Sequence, residues 1–217
     1  MLHIPRNLEG VEELETKILL IDPGAVQKIL RKNKAQYEGT FQVEEQRYHP
    51  NKEMQRLRMS TRLRILRNGG EHFVEVVTKQ KFRPKRVQGY EKFGRRLKRR
   101  KEFESELIKT GGNDCRYDTM KFQLALWGLK ERDHFTTKLI RYAWRNVRFE
   151  LETMLSYNGE ETNLPPPFLE IEGPDDASIV AAAKAIGYSV NDFSPFTKRD
   201  VVKAYRAQTY PFRIKIL

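Results

Sequence analysis

VEELETKILL, residues 11–20, divides cleanly when every second residue is read. Val11, Glu13, Glu15 and Lys17 leave one face, while Leu14, Ile18 and Leu20 leave the other with Glu12 and Thr16. Successive side chains of a strand point to opposite faces of the pleat, so this period predicts a β-strand. Taken alone it is a half-buried strand with a wet outer face, a common arrangement in antiparallel sheets. Whether Glu13, Glu15 and Lys17 meet solvent or a site depends on the other strands.

Those strands repeat the division. Arg62 and Arg64 alternate with Leu63 and Ile65; Glu75, Lys79 and Lys81 alternate with Val74, Val76 and Thr78. Further on, Arg148, Glu150 and Glu152 alternate with Phe149 and Leu151, and Glu170 and Glu172 with Leu169 and Ile171. TFQVEEQRYH (40–49) and EFESEL (102–107) read as further strands, the first with Phe41, Val43 and Glu45 on one face. Asn68-Gly69-Gly70 between two alternating runs predicts a hairpin. Helices are expected over roughly 23–34, entered at Asp22-Pro23, over 117–129 with a Met120, Leu124, Trp127 stripe, over 175–186, and in the tail at 193–206. RIKIL (213–217) suggests a terminal strand.

A sheet of such strands has one apolar and one charged face. If helices 23–34, 117–129 and 175–186 cover the apolar face and the sheet closes, the charged faces line a tube. Ionised groups share such a lining only when water, metal ions or an anionic ligand balance them. Glutamates at i, i+2 set hard oxygens about 7 Å apart along a strand, and two such pairs suit Mg²⁺ or Mn²⁺. Arg and Lys opposite would clamp a polyphosphate. A Walker loop is absent.

Composition narrows the classes. The 217 residues suffice for one sizeable core and are expected to form a single domain, 1–217. Residues 81–101 hold eleven Lys/Arg against one acid, Glu91, and so carry ten of the twelve net positive charges. A basic coat over the whole surface, as in a dedicated nucleic-acid binder, is therefore not indicated. The run reads first as a solvated loop, although its arginines with Tyr90 and Phe93 also suit RNA or DNA phosphates and bases. One cysteine, Cys115, excludes an internal disulfide and a zinc–thiolate cluster within the chain. The histidines show no ligand spacing, and Trp127 and Trp144 are expected in the core. With no membrane-length apolar run and no secretory segment, the expectation is a soluble cytoplasmic protein, monomer or homodimer.

Glu13-Leu-Glu15-Thr-Lys17 resembles the ExExK signature of the CYTH, or triphosphate tunnel metalloenzyme, superfamily. Arg62-Leu-Arg64, Thr78-Lys79, Arg141 and Phe149-Glu-Leu-Glu152 follow in the family's order, and Phe168-Leu-Glu170-Ile-Glu172 resembles its FxEIE element. The likeness spans about residues 11–206. It implies an α+β fold: an eight-stranded antiparallel β-barrel enclosing a triphosphate tunnel, with helices packed outside. It also implies Mg²⁺ or Mn²⁺ on Glu13, Glu15, Glu170 and Glu172, with Glu152 as a further candidate ligand, phosphate binding by Lys17, Arg62, Arg64, Lys79, Arg100 and Arg141, and catalytic roles for Lys17 and Glu152. Glu75, Lys81, Glu102, Glu104 and Glu150 are further tunnel candidates. The middle acidic strand admits two registers, Arg100-Glu102-Glu104 or one that uses Glu106, and the first is favoured.

The leading expectation is a metal-dependent triphosphatase acting on inorganic, nucleoside or thiamine triphosphate. Class IV adenylate cyclase, making cyclic AMP and pyrophosphate from ATP, is the alternative. An RNA 5′-triphosphatase and a non-catalytic polyphosphate- or nucleic-acid-binding module follow.

Overall fold

The structure, a computed structural model, describes residues 11–81, 97–104, 108–110 and 114–208; for residues 11–13, 81, 98–104 and 108 it describes the backbone alone. Most of the basic run, Glu106 and the expected strand at 213–217 lie outside these residues. In chain order the elements are β1 (Val11–Leu19), α1 (Pro23–Lys32), β2 (Gln36–Tyr48), α2 (Lys52–Arg56), β3 (Met59–Asn68), β4 (Glu71–Lys81), β5 (Lys98–Glu104) and β6 (Ile108–Lys109). Then come α3 (Cys115–Leu126), β7 (Glu131–Trp144), β8 (Val147–Tyr157), β9 (Phe168–Gly173), α4 (Asp176–Ala185), β10 (Phe193–Ser194) and α5 (Lys198–Arg206).

Local chemistry accounts for the boundaries. Asp22 caps α1 by accepting from the amides of Gly24 (2.8 Å) and Ala25 (3.2 Å), with Pro23 at the first helical position. Gly69 and Gly70 both have positive φ, 56° and 88°, the geometry that a two-residue hairpin between β3 and β4 requires.

All strands join one antiparallel sheet in the order β10-β1-β5-β4-β3-β2-β7-β8-β9, and β9 pairs back onto β1. β6 and β10 are two-residue additions to eight longer strands. The predicted α+β class and antiparallel order hold, but the sheet is curled and open along most of β1 rather than the closed eight-stranded barrel that the resemblance implies. β5 pairs with β1 over Val11 to Glu15 and β9 over Leu14 to Leu19, so only Leu14 and Glu15 are held by both. β10 takes the remaining edge at Lys17 and Ile18.

Helices α1 and α4 cover one part of the outer face. Val26 and Leu30 of α1 and Ile179, Ala182 and Ala183 of α4 pack with Leu14, Ile18, Phe149, Leu169 and Ile171. α3 covers Leu63, Ile65 and Val74 through Tyr117 and Leu124. The expected α3 stripe fails at its end: the helix stops at Leu126 and Trp127 is 65% exposed. Gly128, at φ 75°, turns the chain so that Leu129 supplies the buried apolar group instead. Trp144 packs against the main core, its indole donating to the Asn33 carbonyl.

The inner face is not charged throughout. Phe41 and Val43 share it with Glu45, Leu66 with Arg64, Phe73 with Glu75 and Leu139 with Arg141, and these five apolar side chains form one cluster. A second departure from the expected exterior helices is α5. Val201 packs with Leu19 and Phe168, and Val202 with Met154, residues in phase with Lys17, Glu170 and Glu152. α5 therefore closes on the end of the inner face.

Beneath α3, an outward-facing polar network ties four strands, β2, β3, β4 and β7, to the helix start. Glu44 accepts from Arg67 (3.1 Å) and Tyr117 (3.3 Å) and lies 3.2 Å from His134; Asp114 accepts from Arg67 (2.8 Å) and lies 2.6 Å from His72. The His134 hydrogen bond, followed by Arg67, brings the Glu44 carboxyl from 4.5 to about 2 against the effect of burial. The same bond raises His134 above 6.5. Glu44 thus contributes above its unfolded value of 4.5 and loses this as pH falls towards 2. His134 contributes below 6.5 and loses this as pH rises through its higher folded value. Denaturation midpoints measured from about pH 6 to about pH 9, from just below the ordinary His value to past the His range, are expected to fall in the native protein and to flatten in His134→Gln.

Candidate active site

Strand register brings the ends of the chain together. Glu15 lies opposite Glu172 and Lys17 opposite Glu170 across β1 and β9. Glu170 in turn faces Glu150, and Glu172 faces Arg148, across β9 and β8. One carboxylate oxygen from each of Glu15, Glu170 and Glu172 lies within 4.8 Å of the others. Glu15 and Glu170 are buried and Glu172 is partly so. Burial, followed by the Glu15 charge, raises the Glu170 carboxyl to about 6 although Lys17 pairs with it. Burial works against the Lys17 ammonium, but Glu170, Glu15 and Glu152 outweigh it and raise its pKa.

The donor set fits a hard divalent cation: three convergent carboxylates, no sulfur or imidazole, and mutual repulsion that one cation would relieve. Glu13 lies on the same strand opposite Arg100, and Glu102 opposite Lys79; Glu104 pairs with Val77 and Lys81 with Arg100. For Glu13, Lys81, Arg100, Glu102 and Glu104 the backbone alone is described, so their expected ligand roles lie outside the described side chains.

Beside the carboxylates opens a cavity of about 260 Å³. Its walls include the expected Lys17, Arg62, Arg64 and Lys79, with Glu150 and Glu152. Lys79 Nζ stands 3.6 Å from Glu15, and Arg64 is fixed by a buried pair with Glu75. Arg141 is not in this lining. Its Nε and Nη2 both donate to Glu150 (2.9 and 2.6 Å) and it stacks on Phe41 at 5.5 Å. Burial opposes ionisation of Glu150, but Arg141, Arg64 and Arg148 hold it at about 2. Glu75 and Glu150 thus anchor arginines.

Several lining residues were not anticipated. From α5 come Lys198 and Arg199, and from β2 and β7 come Arg47 and Arg132. Glu45 lies behind them, 1% exposed, against Arg47 (2.6 Å), Arg62 (3.4 Å) and Lys198 (3.7 Å). Lys198 also stands 2.5 Å from Glu152. Burial opposes the Glu45 charge, yet Arg47, Lys198 and Arg62 hold its carboxyl well below the usual range. The alternation of 40–49 hid Glu45, because it shares its phase with Phe41 and Val43 and that face reads as apolar, while Glu44 marks the opposite face as the charged one.

No protein-family model matches the sequence, and no curated protein matches it. Solved structures do. A conserved hypothetical protein from Pyrococcus furiosus superposes with a TM-score of 0.63 at 16% identity, covering 87% of this chain and 99% of that one. A Vibrio parahaemolyticus protein provisionally named an adenylate cyclase gives 0.63 at 13% identity, covering 90% and 99%. HpAC1 from Hippeastrum, named provisionally as an adenylyl cyclase and described as having a dominant triphosphatase activity, gives 0.54 at 14% identity, covering 90% and 96%. The chain has the fold of these proteins, in agreement with the resemblance drawn from the ExExK and FxEIE elements. Among the described residues no helix is long and apolar enough to cross a membrane.

Proposed function

We propose that this chain is a metal-dependent triphosphate hydrolase whose substrate lies in the cavity between β1, β3, β4, β8 and β9. The observation that carries this reading is the meeting of Glu15, Glu170 and Glu172 within 4.8 Å on one wall of a cavity, with Lys17 beside them and Arg62, Arg64 and Lys79 on the other walls. Acids alone would suit a structural cation, and bases alone an anion binder. Together they suit a ligand that brings phosphate oxygens and Mg²⁺ or Mn²⁺ at once.

The three glutamates, with Glu13 as a further candidate, would hold the ion, which supplies Lewis-acid polarisation of phosphoryl oxygens when bound. The cations do the rest of the positioning. Lys17, already charged among carboxylates, turns from Glu170 to a phosphate; Arg64 keeps its place through Glu75, and Arg62 through Glu45. Preorganised charges of this kind stabilise developing negative charge without reorganising in the transition state. Glu152 stands in the cavity outside the carboxylate trio and is the proposed acceptor for the proton of the attacking water.

Cyclisation of ATP is the second reading, supported by the provisional cyclase names of the Vibrio and Hippeastrum neighbours. An adenine would need an apolar or aromatic face, and the described lining offers only Glu, Asp, Lys, Arg, Ser and Thr. Incubation with inorganic triphosphate, ATP and thiamine triphosphate, with Mg²⁺ or Mn²⁺ and chromatography of the products, tests both. Release of phosphate that EDTA abolishes is expected. Cyclic AMP with pyrophosphate would support the cyclase, and no turnover of any triphosphate would overturn both.

A further inference from the structure

Beside α5 the cavity lining is more exposed, with the Arg132 and Arg199 side chains 24% and 35% exposed against 3% for Lys17, and this mouth has its own construction. Glu45 on β2 and Asp133 on β7 are each 1% exposed, and Arg47 lies opposite Asp133 in the β2–β7 register. Arg47 donates through Nε to Glu45 (2.6 Å), and Arg132 through Nε to Asp133 (2.7 Å). Arg199, from the first turn of α5, brings its Nε within 3.2 Å of Asp133, which also accepts from Tyr157 (2.9 Å). Arg47 is fixed further by stacking on Phe135 at 4.9 Å.

Arg47 and Arg132 are therefore held through Nε hydrogen bonds and Arg199 by its ion pair with Asp133, and all three line the cavity. The donors not used in these contacts are on the terminal Nη groups, the half of the guanidinium fork that matches two oxygens of a tetrahedral anion. Ser60 and Thr197 add hydroxyls at the same mouth, and no described lining residue is aromatic or aliphatic. Asp200, the one acid there from α5, is engaged in the capping box with Thr197. This mouth can solvate a charged continuation of the ligand and offers nothing on which to stack a base.

We propose that Arg47, Arg132 and Arg199 form an outer anion subsite for a phosphate group beyond the third, so that the cavity takes linear inorganic polyphosphate longer than triphosphate. The proposal rests on the triphosphate reading for the inner part of the cavity. It adds a subsite whose ligand is anionic, where a nucleoside or thiamine substrate would present a ring.

Calorimetric titration with inorganic triphosphate and inorganic tetraphosphate, in Mg²⁺ and at fixed ionic strength, tests it on the native protein. Tetraphosphate is expected to bind about tenfold more tightly, the gain of one set of charge-assisted hydrogen bonds. Arg132→Gln and Arg199→Gln, made singly so that Asp133 keeps one cation, are expected to reduce that ratio towards one. Thermal melts identify a variant that fails to fold, and the native ratio stands independently of both variants. Equal affinities in the native protein overturn the subsite, as do variants that weaken both ligands alike. Tighter binding of an oligonucleotide 5′-triphosphate than of tetraphosphate also overturns it. Tetraphosphate preference without turnover would sustain the subsite while removing the hydrolase reading; triphosphate turnover without that preference would do the reverse.

Discussion

Glu170→Gln is expected to lower metal-dependent triphosphate turnover by about 100- to 1,000-fold, the range for removing one preorganised electrostatic group, while the protein remains folded. The substitution keeps the shape of the side chain but removes one of three convergent carboxylates and the partner of Lys17. Its stability effect has a definite sign. In the native protein the Glu170 carboxyl titrates at about 6, above its ordinary 4.5. Between these values the folded state holds the proton that the unfolded state has lost, so this group's contribution to stability decreases as pH rises. Unfolding midpoints of the metal-free protein, compared with Glu170→Gln between pH 4.5 and pH 7 (about one unit past the Glu170 value), should therefore converge at the acid end. At the neutral end the variant should match or exceed the native protein. Metal competes with the same proton, and Mn²⁺ affinity should weaken as pH falls through about 6. A folded Glu170→Gln with native turnover and native metal affinity would remove Glu170 from the site.

Glu45→Ala is expected to cost about 3–5 kcal/mol of unfolding free energy, the range for breaking a buried ion pair from one side. Glu45 is 1% exposed and is shared by Arg47, Arg62 and Lys198, so its loss leaves cations on β2, β3 and α5 without their common anion. Glu53→Ala supplies the contrast. Glu53 pairs with Arg56 on α2, but both side chains are about 70% exposed, and exposed pairs contribute on the order of 0.5 kcal/mol or less. Urea unfolding of the two variants should separate them by several kcal/mol. A Glu45→Ala loss as small as that of Glu53→Ala would show that its cations find other partners or water.

Strands with one unambiguous charged phase were legible. FLEIEG at 168–173 coincides with β9, and Asn68-Gly69-Gly70 marks the hairpin between β3 and β4. The acid trio follows from the same alternation once strands from the two ends of the chain are paired. Three parts were not legible, each for a physical reason. Glu44 and Glu45 are consecutive charges that serve opposite faces, one under α3 and one behind the cavity, and alternation alone does not tell which of the two faces the cavity. Lys198 and Arg199 reach the site from a helix start, where no period of two exists. Trp127 continues a helical stripe in sequence, but the helix ends one residue earlier and Gly128 redirects the chain. The inner apolar cluster of Phe41, Val43, Leu66, Phe73 and Leu139 was hidden likewise, because each of its strands also carries a charged residue in the same phase.

The pairing of β1 with β9 also governs when the site can exist during synthesis. Glu15 meets Glu172 only when the first and ninth strands are side by side, 157 positions apart by the two residue numbers. A nascent chain that has not yet released FLEIEG holds Glu15 without either carboxylate partner and Lys17 without Glu170. Closure over such a separation is slow compared with forming the hairpins β3–β4 and β7–β8, which join neighbours in sequence. Metal therefore has no complete binding place on the ribosome until β9 has emerged, and it rewards the last pairing of the sheet rather than directing the first.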